Sequence, residues 1–181
     1  MTEDLTIDEL WKTYPIEILG PNPDWQNIYE EERDRIRQAF GSRDFKIYHV
    51  GSTAVPNLKA RDIIDILIEV AEGEDMNFLA FLLVKNGYKK MVVEKNRISL
   101  NKGYSPEPSQ EQIYHIHLRR PGDLREIYFR NALRKNPKLS KTYESLKLKL
   151  AKDFRDNRQD YLLGKSDFIN KYTQMEEENF R

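Results

Sequence analysis

The stretch Phe45-Lys-Ile-Tyr-His49-Val-Gly51-Ser52-Thr53-Ala-Val-Pro56, followed by Ile63-Ile-Asp65-Ile-Leu-Ile-Glu69-Val70, decides the fold. Phe45 to Val50 reads as a strand that runs into a loop over Gly51 to Ala60. Ile63 to Val70 is the most β-rich stretch of the chain, interrupted by Asp65 and Glu69. Glycine at the strand end lets a backbone approach a phosphate closely, and Ser52 and Thr53 add hydroxyl donors beside the amides there. An ionised carboxylate among Ile63, Ile64, Ile66 and Ile68 is costly to bury unless a metal ion or a basic partner compensates it. A strand-end turn with an acid on an exposed strand face explains the same residues without a ligand.

Working outward, Ile7 to Thr13 suits a short leading helix, and Ile16-Glu17-Ile18 alternates like a short strand before the turn Gly20-Pro21-Asn22-Pro23. From Asp24 the residues Trp25, Ile28, Tyr29, Ile36, Ala39 and Phe40 share one helical face, with Gly41 placed to stop it. Downstream, Met76 to Asn86 is an apolar helix ended by Gly87. Lys90 to Glu94 and Arg97 to Asn101 pair as a hairpin across Lys95 and Asn96. Lys102 to Gln110 is loop, and Gln112 to Arg119 is a further strand. Everything after Pro121 is helical: Asp123 to Lys135, then a helix opened by Asn136-Pro137. The stripe Leu139, Tyr143, Leu146, Leu150 and Phe154 marks that second helix, and Tyr161, Leu162, Phe168, Ile169 and Tyr172 mark a third. Glu176 to Arg181 reads as frayed. The expectation is an α+β protein with a mixed β-sheet core over residues 1–120 flanked by helices, and a C-terminal helical subdomain over 121–181 packing on that core.

The 181 residues are 39% hydrophobic and 33% charged, which suits a globular rather than a disordered chain. Thirty basic and thirty acidic side chains cancel, so no overall field points to nucleic acid or to a membrane surface. With no cysteine, disulfides and thiolate metal sites are excluded. The acidic amino-terminal segment is unlike a signal peptide, and no apolar run is long enough to span a bilayer. A cytoplasmic location is the expectation.

His115 and His117 stand two apart on a strand and therefore share a face. Together with Asp65 they could build a metal site, with Asp65 and His117 the first choices as ligands. Among the cations, Arg97 and Lys102 flank a hairpin strand, while Arg130, Lys147 and Lys165 lie on the C-terminal helices. Lys147 borders the buried stripe and Lys165 falls squarely on an apolar face. A lysine there either snorkels to water or lines a cleft.

Gly-Ser, about a dozen residues, then a strand acid resembles the signature of the nucleotidyltransferase superfamily. In that superfamily the Gly-Ser loop holds a nucleoside triphosphate and the acid binds Mg²⁺. The superfamily's second acid, two residues on, is replaced here by Leu67. Glu69 lies about 13 Å along the strand from Asp65, too far to share an ion. The run His49-Val-Gly-Ser-Thr-Ala-Val-Pro56 with Ile63-Ile-Asp-Ile66 is similar to the GrpB-like family of bacterial proteins. Asn22-Pro-Asp-Trp25, Arg97, Lys102-Gly103, His115-Ile-His-Leu118, Phe129-Arg130, Tyr143, Lys147, Tyr161, Lys165 and Phe168 extend the likeness over nearly the whole chain. Asn57 replaces a glycine usual in the family, and Arg61-Asp62 replaces a Lys-Pro pair. The resemblance implies a nucleotidyltransferase fold and supplies no reaction; the Gly-Ser to Asp65 spacing and Lys165 on an apolar helix face point to a protein that binds a nucleotide or another small phosphorylated ligand. Gly51, Ser52, Thr53, Arg61, Arg97, Lys102, Arg130, Lys147 and Lys165 would contact it. Asp65, His115 and His117 would be catalytic, with Mg²⁺ or Mn²⁺ as the implied cofactor. Two activities stay open: metal-dependent nucleotidyl transfer, and ligand binding without catalysis.

Overall fold

In the computed structural model, which describes residues 13–105 and 111–180, five strands form one mixed sheet in the order β1-β2-β5-β4-β3. They are β1 (Phe45–Val50), β2 (Ile63–Val70), β3 (Lys89–Glu94), β4 (Arg97–Lys102) and β5 (Ile113–Arg119). The neighbouring strands β2 and β5 are parallel, and every other pairing is antiparallel. Five helices accompany them: α1 (Trp25–Phe40), α2 (Met76–Lys85), α3 (Arg125–Lys135), α4 (Pro137–Asp153) and α5 (Arg158–Phe180).

Strand alternation sorts the sheet into two faces. Ile64, Ile66, Ile68, Ile98, Leu100, Ile116 and Leu118 point to one side. There they form the main core with Trp25, Tyr29, Ile36 and Phe40 of α1 and Met76, Leu79, Ala80 and Leu83 of α2. The opposite side carries Val50, Asp65, Leu67, His115 and His117. It is roofed by α3 to α5 through Ile127 against Val50 and Leu67, and through Phe129, Leu133, Leu139 and Tyr143 against Val55 and Leu58. Helix starts follow the sequence chemistry. Asp75 accepts from the backbone of Asn77 and Phe78 at the start of α2, and Asn136 accepts from Leu139 N at 3.0 Å at the start of α4.

Two local expectations change, and the expected hairpin forms with an irregularity. Ile16-Glu17-Ile18 is not a strand. Ile16 N donates to Arg155 O, its side chain buries against Leu150 and Tyr161, and the chain meets the loop only at a Leu19–Ala60 bridge. The apolar partner of this short segment is the helical roof rather than a sheet edge. At the other end, α5 continues through Phe180 instead of fraying from Glu176, because Glu176 is buried and ion-paired with Lys135 of α3. The hairpin is irregular: its register shifts between Lys90 and Val92, a bulge on an edge strand whose residues are all exposed. The expected leading helix lies outside the described residues except for Thr13. Among the described residues, no helix is long and apolar enough to cross a membrane.

Candidate ligand site between the sheet and the C-terminal helices

Asp65 sits mid-sheet, paired with Val50 on β1 and with His115 on β5. Its Oδ1 lies 3.4 Å from both His115 Nδ1 and His117 Nε2. Arg119 Nη2 stands 3.4 Å from His117 Nδ1, and a guanidinium can only donate. His117 therefore carries its proton on Nε2, facing Asp65. His115 Nε2 meets the Tyr104 hydroxyl at 2.9 Å. Burial pushes the Asp65 carboxyl up, but the hydrogen bonds from His115 and His117 outweigh it and hold the group well below the usual carboxylate range. Burial is also the main cause lowering His115, opposed by Asp65.

Directly over this carboxylate runs Gly51. Its φ is +72°, and a Cβ placed on it would come 2.3 Å from Asp65 Oδ2. The glycine is required because the loop backbone packs on the acid of the next strand. This differs from the reason the sequence suggested, close approach to a phosphate.

The loop that follows is bolted to the helical roof. Lys147 of α4, itself buried, donates to Ser52 Oγ at 3.0 Å and to the Lys59 carbonyl. Glu144 accepts from Lys59 N at 2.8 Å. Arg134 Nε donates to Ala54 O at 2.9 Å and Arg130 Nη1 to His49 O at 2.7 Å. Lys147 and Arg134 donate to carbonyls of the loop and Arg130 to one at the strand end, so α3 and α4 set the loop's shape.

Between sheet, loop and roof lies a cavity of about 410 Å³. Gly51, Ser52, Asp65, His115 and His117 line it from the sheet side, with Arg61, Arg97, Lys147, Arg158 and Lys165 around them and Phe129, Tyr143 and Tyr161 as aromatic wall. Burial lowers both Lys147 and Lys165 to about 7, and for Lys165 the neighbouring Arg61 and Lys147 add to it. Arg97, although on the wall, is engaged by Asp123 at 2.8 and 3.1 Å.

Three of the expected ligand contacts fall elsewhere. The Thr53 hydroxyl is buried, donating to Ile63 O at 3.1 Å and receiving His49 Nε2 at 3.0 Å. Lys102 is on the core face, 2.9 Å from the buried Glu32. Arg130 is consumed by His49 O and by Asn131. His49 also points away from the site, stacked on Tyr29 at 4.6 Å, and burial lowers it to about 4. Arg158 and Arg125 line the cavity and were not singled out in the sequence. Arg158 opens α5 after an irregular turn, and no local pattern distinguishes it from a solvated charge.

A mixed sheet with a Gly-Ser loop leaving one strand and an acid on the next, roofed by helices, is the nucleotidyltransferase-type α+β fold. The Cid1 poly(U) polymerase structure shares it, at 14% identity with a TM-score of 0.52 over 83% of this chain and 47% of that one. Within that class, the chain belongs to the GrpB protein family, whose model matches residues 15–175. The crystal structure of conserved protein GrpB from Enterococcus faecalis superimposes with a TM-score of 0.78 at 32% identity, covering 91% of this chain and 99% of that one. UPF0157 protein YqkA from Bacillus subtilis is 32% identical over 168 residues, 91% of this chain. The match spans about half of YqkA's length (48%).

The fold class implies a divalent ion at the strand acids, and the side chains here do not fit a magnesium ion. Magnesium takes near-octahedral oxygen ligands, whereas Asp65 offers a single carboxylate and Leu67, at the next position on that face, is fully buried against Val50 and Ile127. A metal-bound imidazole hands its second N–H to an acceptor, but His117 Nδ1 faces the Arg119 guanidinium. Among the described residues, no group of three His, Asp or Glu side chains is arranged to hold a metal ion.

Proposed function

We propose that this chain binds a small phosphorylated molecule, a nucleotide being the best-matched class, in the cavity between the sheet and α3 to α5. Protein cations, rather than a metal ion, supply the countercharge. The observation that carries this reading is the convergence of Arg61, Lys147, Arg158 and Lys165 on one cavity beside a single strand carboxylate, Asp65. About 410 Å³ is room for a ligand of nucleotide size. Phosphate oxygens would satisfy the crowded cations, and Phe129, Tyr143 and Tyr161 offer ring surface to the rest of the ligand. Leu67 in the place of a second acid favours binding without nucleotidyl transfer.

Calorimetric titration with ATP, ADP and pyrophosphate, each with and without Mg²⁺ or Mn²⁺, tests this directly. Binding is expected without metal. Arg61→Ala and Arg158→Ala should each weaken it by ~10- to 100-fold, the worth of one charge-assisted hydrogen bond. Failure of all three ligands to bind, or variants that bind like wild type, would sink the phosphate reading. Binding that appears only with metal and vanishes in Asp65→Asn, with pyrophosphate released from ATP, would restore metal-dependent transfer.

A pH signature accompanies the reading. Burial lowers Lys147 and Lys165 to about 7, so above that pH the empty site holds them largely as neutral amines. A bound phosphate dianion favours the ammonium forms. Binding at pH 8 is therefore expected to take up about one proton or more and to weaken as pH rises from 7 to 9. The proton count comes from enthalpies measured in buffers of different ionisation heat. Proton release on binding would contradict it.

A further inference from the structure

The two cavity lysines differ in what holds them. Lys147 Nζ is committed to two oxygens, Ser52 Oγ and Lys59 O. Among the described residues, the contact Lys165 makes is with the face of the Tyr161 ring, 4.2 Å from Nζ to the centroid. Among the described residues, no acceptor oxygen holds its protons in place. The residue before it, Gly164, allows close packing: a Cβ there would come 2.5 Å from Leu150 Cδ2. With hydrogen there, α5 lies against α4 and the next side chain enters the cavity wall beside Arg61, Lys147 and Arg158. A lysine amine crowded by other cations in a partly desolvated pocket is the standard circumstance in which the neutral, nucleophilic form persists near neutral pH.

We propose that Lys165 is a nucleophilic amine that condenses with aldehydes or ketones carrying a phosphate group, the phosphate being held by Arg61 and Arg158. The substrate class rests on the phosphate reading of the cavity. In the step, the Nζ lone pair attacks the carbonyl carbon and the C=O π electrons move to oxygen. Both amine protons pass to that oxygen, which leaves as water, and a C=N bond to Lys165 remains. No oxidant or reductant is consumed. The low position of Lys165, near 7 through burial and the adjacent Arg61, agrees with the geometry.

The test uses the full chain, pyridoxal 5′-phosphate as the phosphorylated aldehyde, pyridoxal as its phosphate-free counterpart, and cyanoborohydride to trap the imine for peptide mapping at pH 7.5. Lys165 is expected to be modified by pyridoxal 5′-phosphate at least ~10-fold faster than the exposed Lys46 and Lys135. Lys165→Arg, which removes the nucleophilic amine and keeps a long basic side chain, should remove the fast phase. Lys149→Met, at an exposed position of α4, should leave modification at Lys165, and both variants are checked for wild-type circular dichroism. ATP should protect Lys165.

Modification of Lys165 no faster than Lys46, in protein shown by calorimetry to bind phosphate ligands, would overturn the proposal and leave the phosphate reading standing. Equal rates at Lys165 with the two aldehydes, and no protection by ATP, would overturn the phosphate reading and the substrate class with it.

Discussion

Gly51→Ala is expected to cost about 3 kcal/mol of stability and to abolish ligand binding in whatever protein still folds. Two effects add. Gly51 sits at φ +72°, where an L side chain costs ~1–2 kcal/mol. The new Cβ would also lie 2.3 Å from Asp65 Oδ2 and 2.9 Å from Asp65 Cβ and Cγ. Asp65 has little freedom to retreat, because β2 is paired on both sides and its carboxylate is gripped by His115 and His117. Overpacking at such a point is worth ~1–3 kcal/mol, a large share of the 5–15 kcal/mol typical of a domain. Urea unfolding of the single variant and of Gly51→Ala with Asp65→Ser separates the two effects. The second substitution should recover part of the loss, since it removes the 2.3 Å contact with Oδ2 but leaves the 2.9 Å contact with Cβ and the backbone penalty. Equal losses in both backgrounds would show that Asp65 is not what demands glycine.

Glu32→Ala should be the most damaging change on the other face of the sheet, at about 3–5 kcal/mol. Glu32 is 1% exposed, yet it accepts from Tyr88 Oη at 2.7 Å, Lys102 Nζ at 2.9 Å and Arg35 Nη1 at 2.8 Å. It thereby ties α1 to β4 and to Tyr88, the residue before β3. Removing it leaves a phenol and an ammonium facing a hole. Burial pushes the Glu32 carboxyl up, but its three donors outweigh this and the group ends below its ordinary 4.5. The stability it contributes is therefore present above the unfolded value and lost as pH falls through the folded one. The acid limb of the stability curve should be shallower in Glu32→Ala. Lys102→Met distinguishes this structural role from the ligand role expected from the sequence. It should lower the unfolding midpoint while leaving ATP affinity unchanged. A tenfold or greater loss of affinity with unaltered stability would return Lys102 to the ligand site.

Much of this was legible in the chain. β-propensity and alternation located the strands of the sheet, helical periodicity located α1, α4 and α5, and Asn136-Pro137 marked the start of α4. The Gly51-Ser52 to Asp65 spacing selected the fold and pointed to a strand end that borders the cavity. Some errors were avoidable in principle. Arg97 and Lys102 differ by five positions on one strand, so they had to face opposite sides, and one could line the cavity only if the other did not. Thr53 was harder, because a hydroxyl in a turn serves a buried carbonyl or a ligand equally well. Arg158 had no local signal at all.

The sequence by itself therefore determined the elements, the strand that carries the acid and the absence of a second acid at Leu67. These follow from periodicities of two and 3.6 residues, which act between near neighbours in the chain. Only the tertiary structure decided which charges meet. Lys147 and Lys165 reach Ser52 and Arg61 across about a hundred residues because the roof helices bury their apolar stripes on the Asp65 face of the sheet. Lys102 is lost to the site because its strand turns it toward Glu32. Electrostatic partnership depends on distance through space and on local burial, and neither quantity exists until the hydrophobic faces have packed. Gly51 shows both sides: the chain announced that a glycine was needed there, and the packing showed that the reason is the Asp65 carboxylate beneath it.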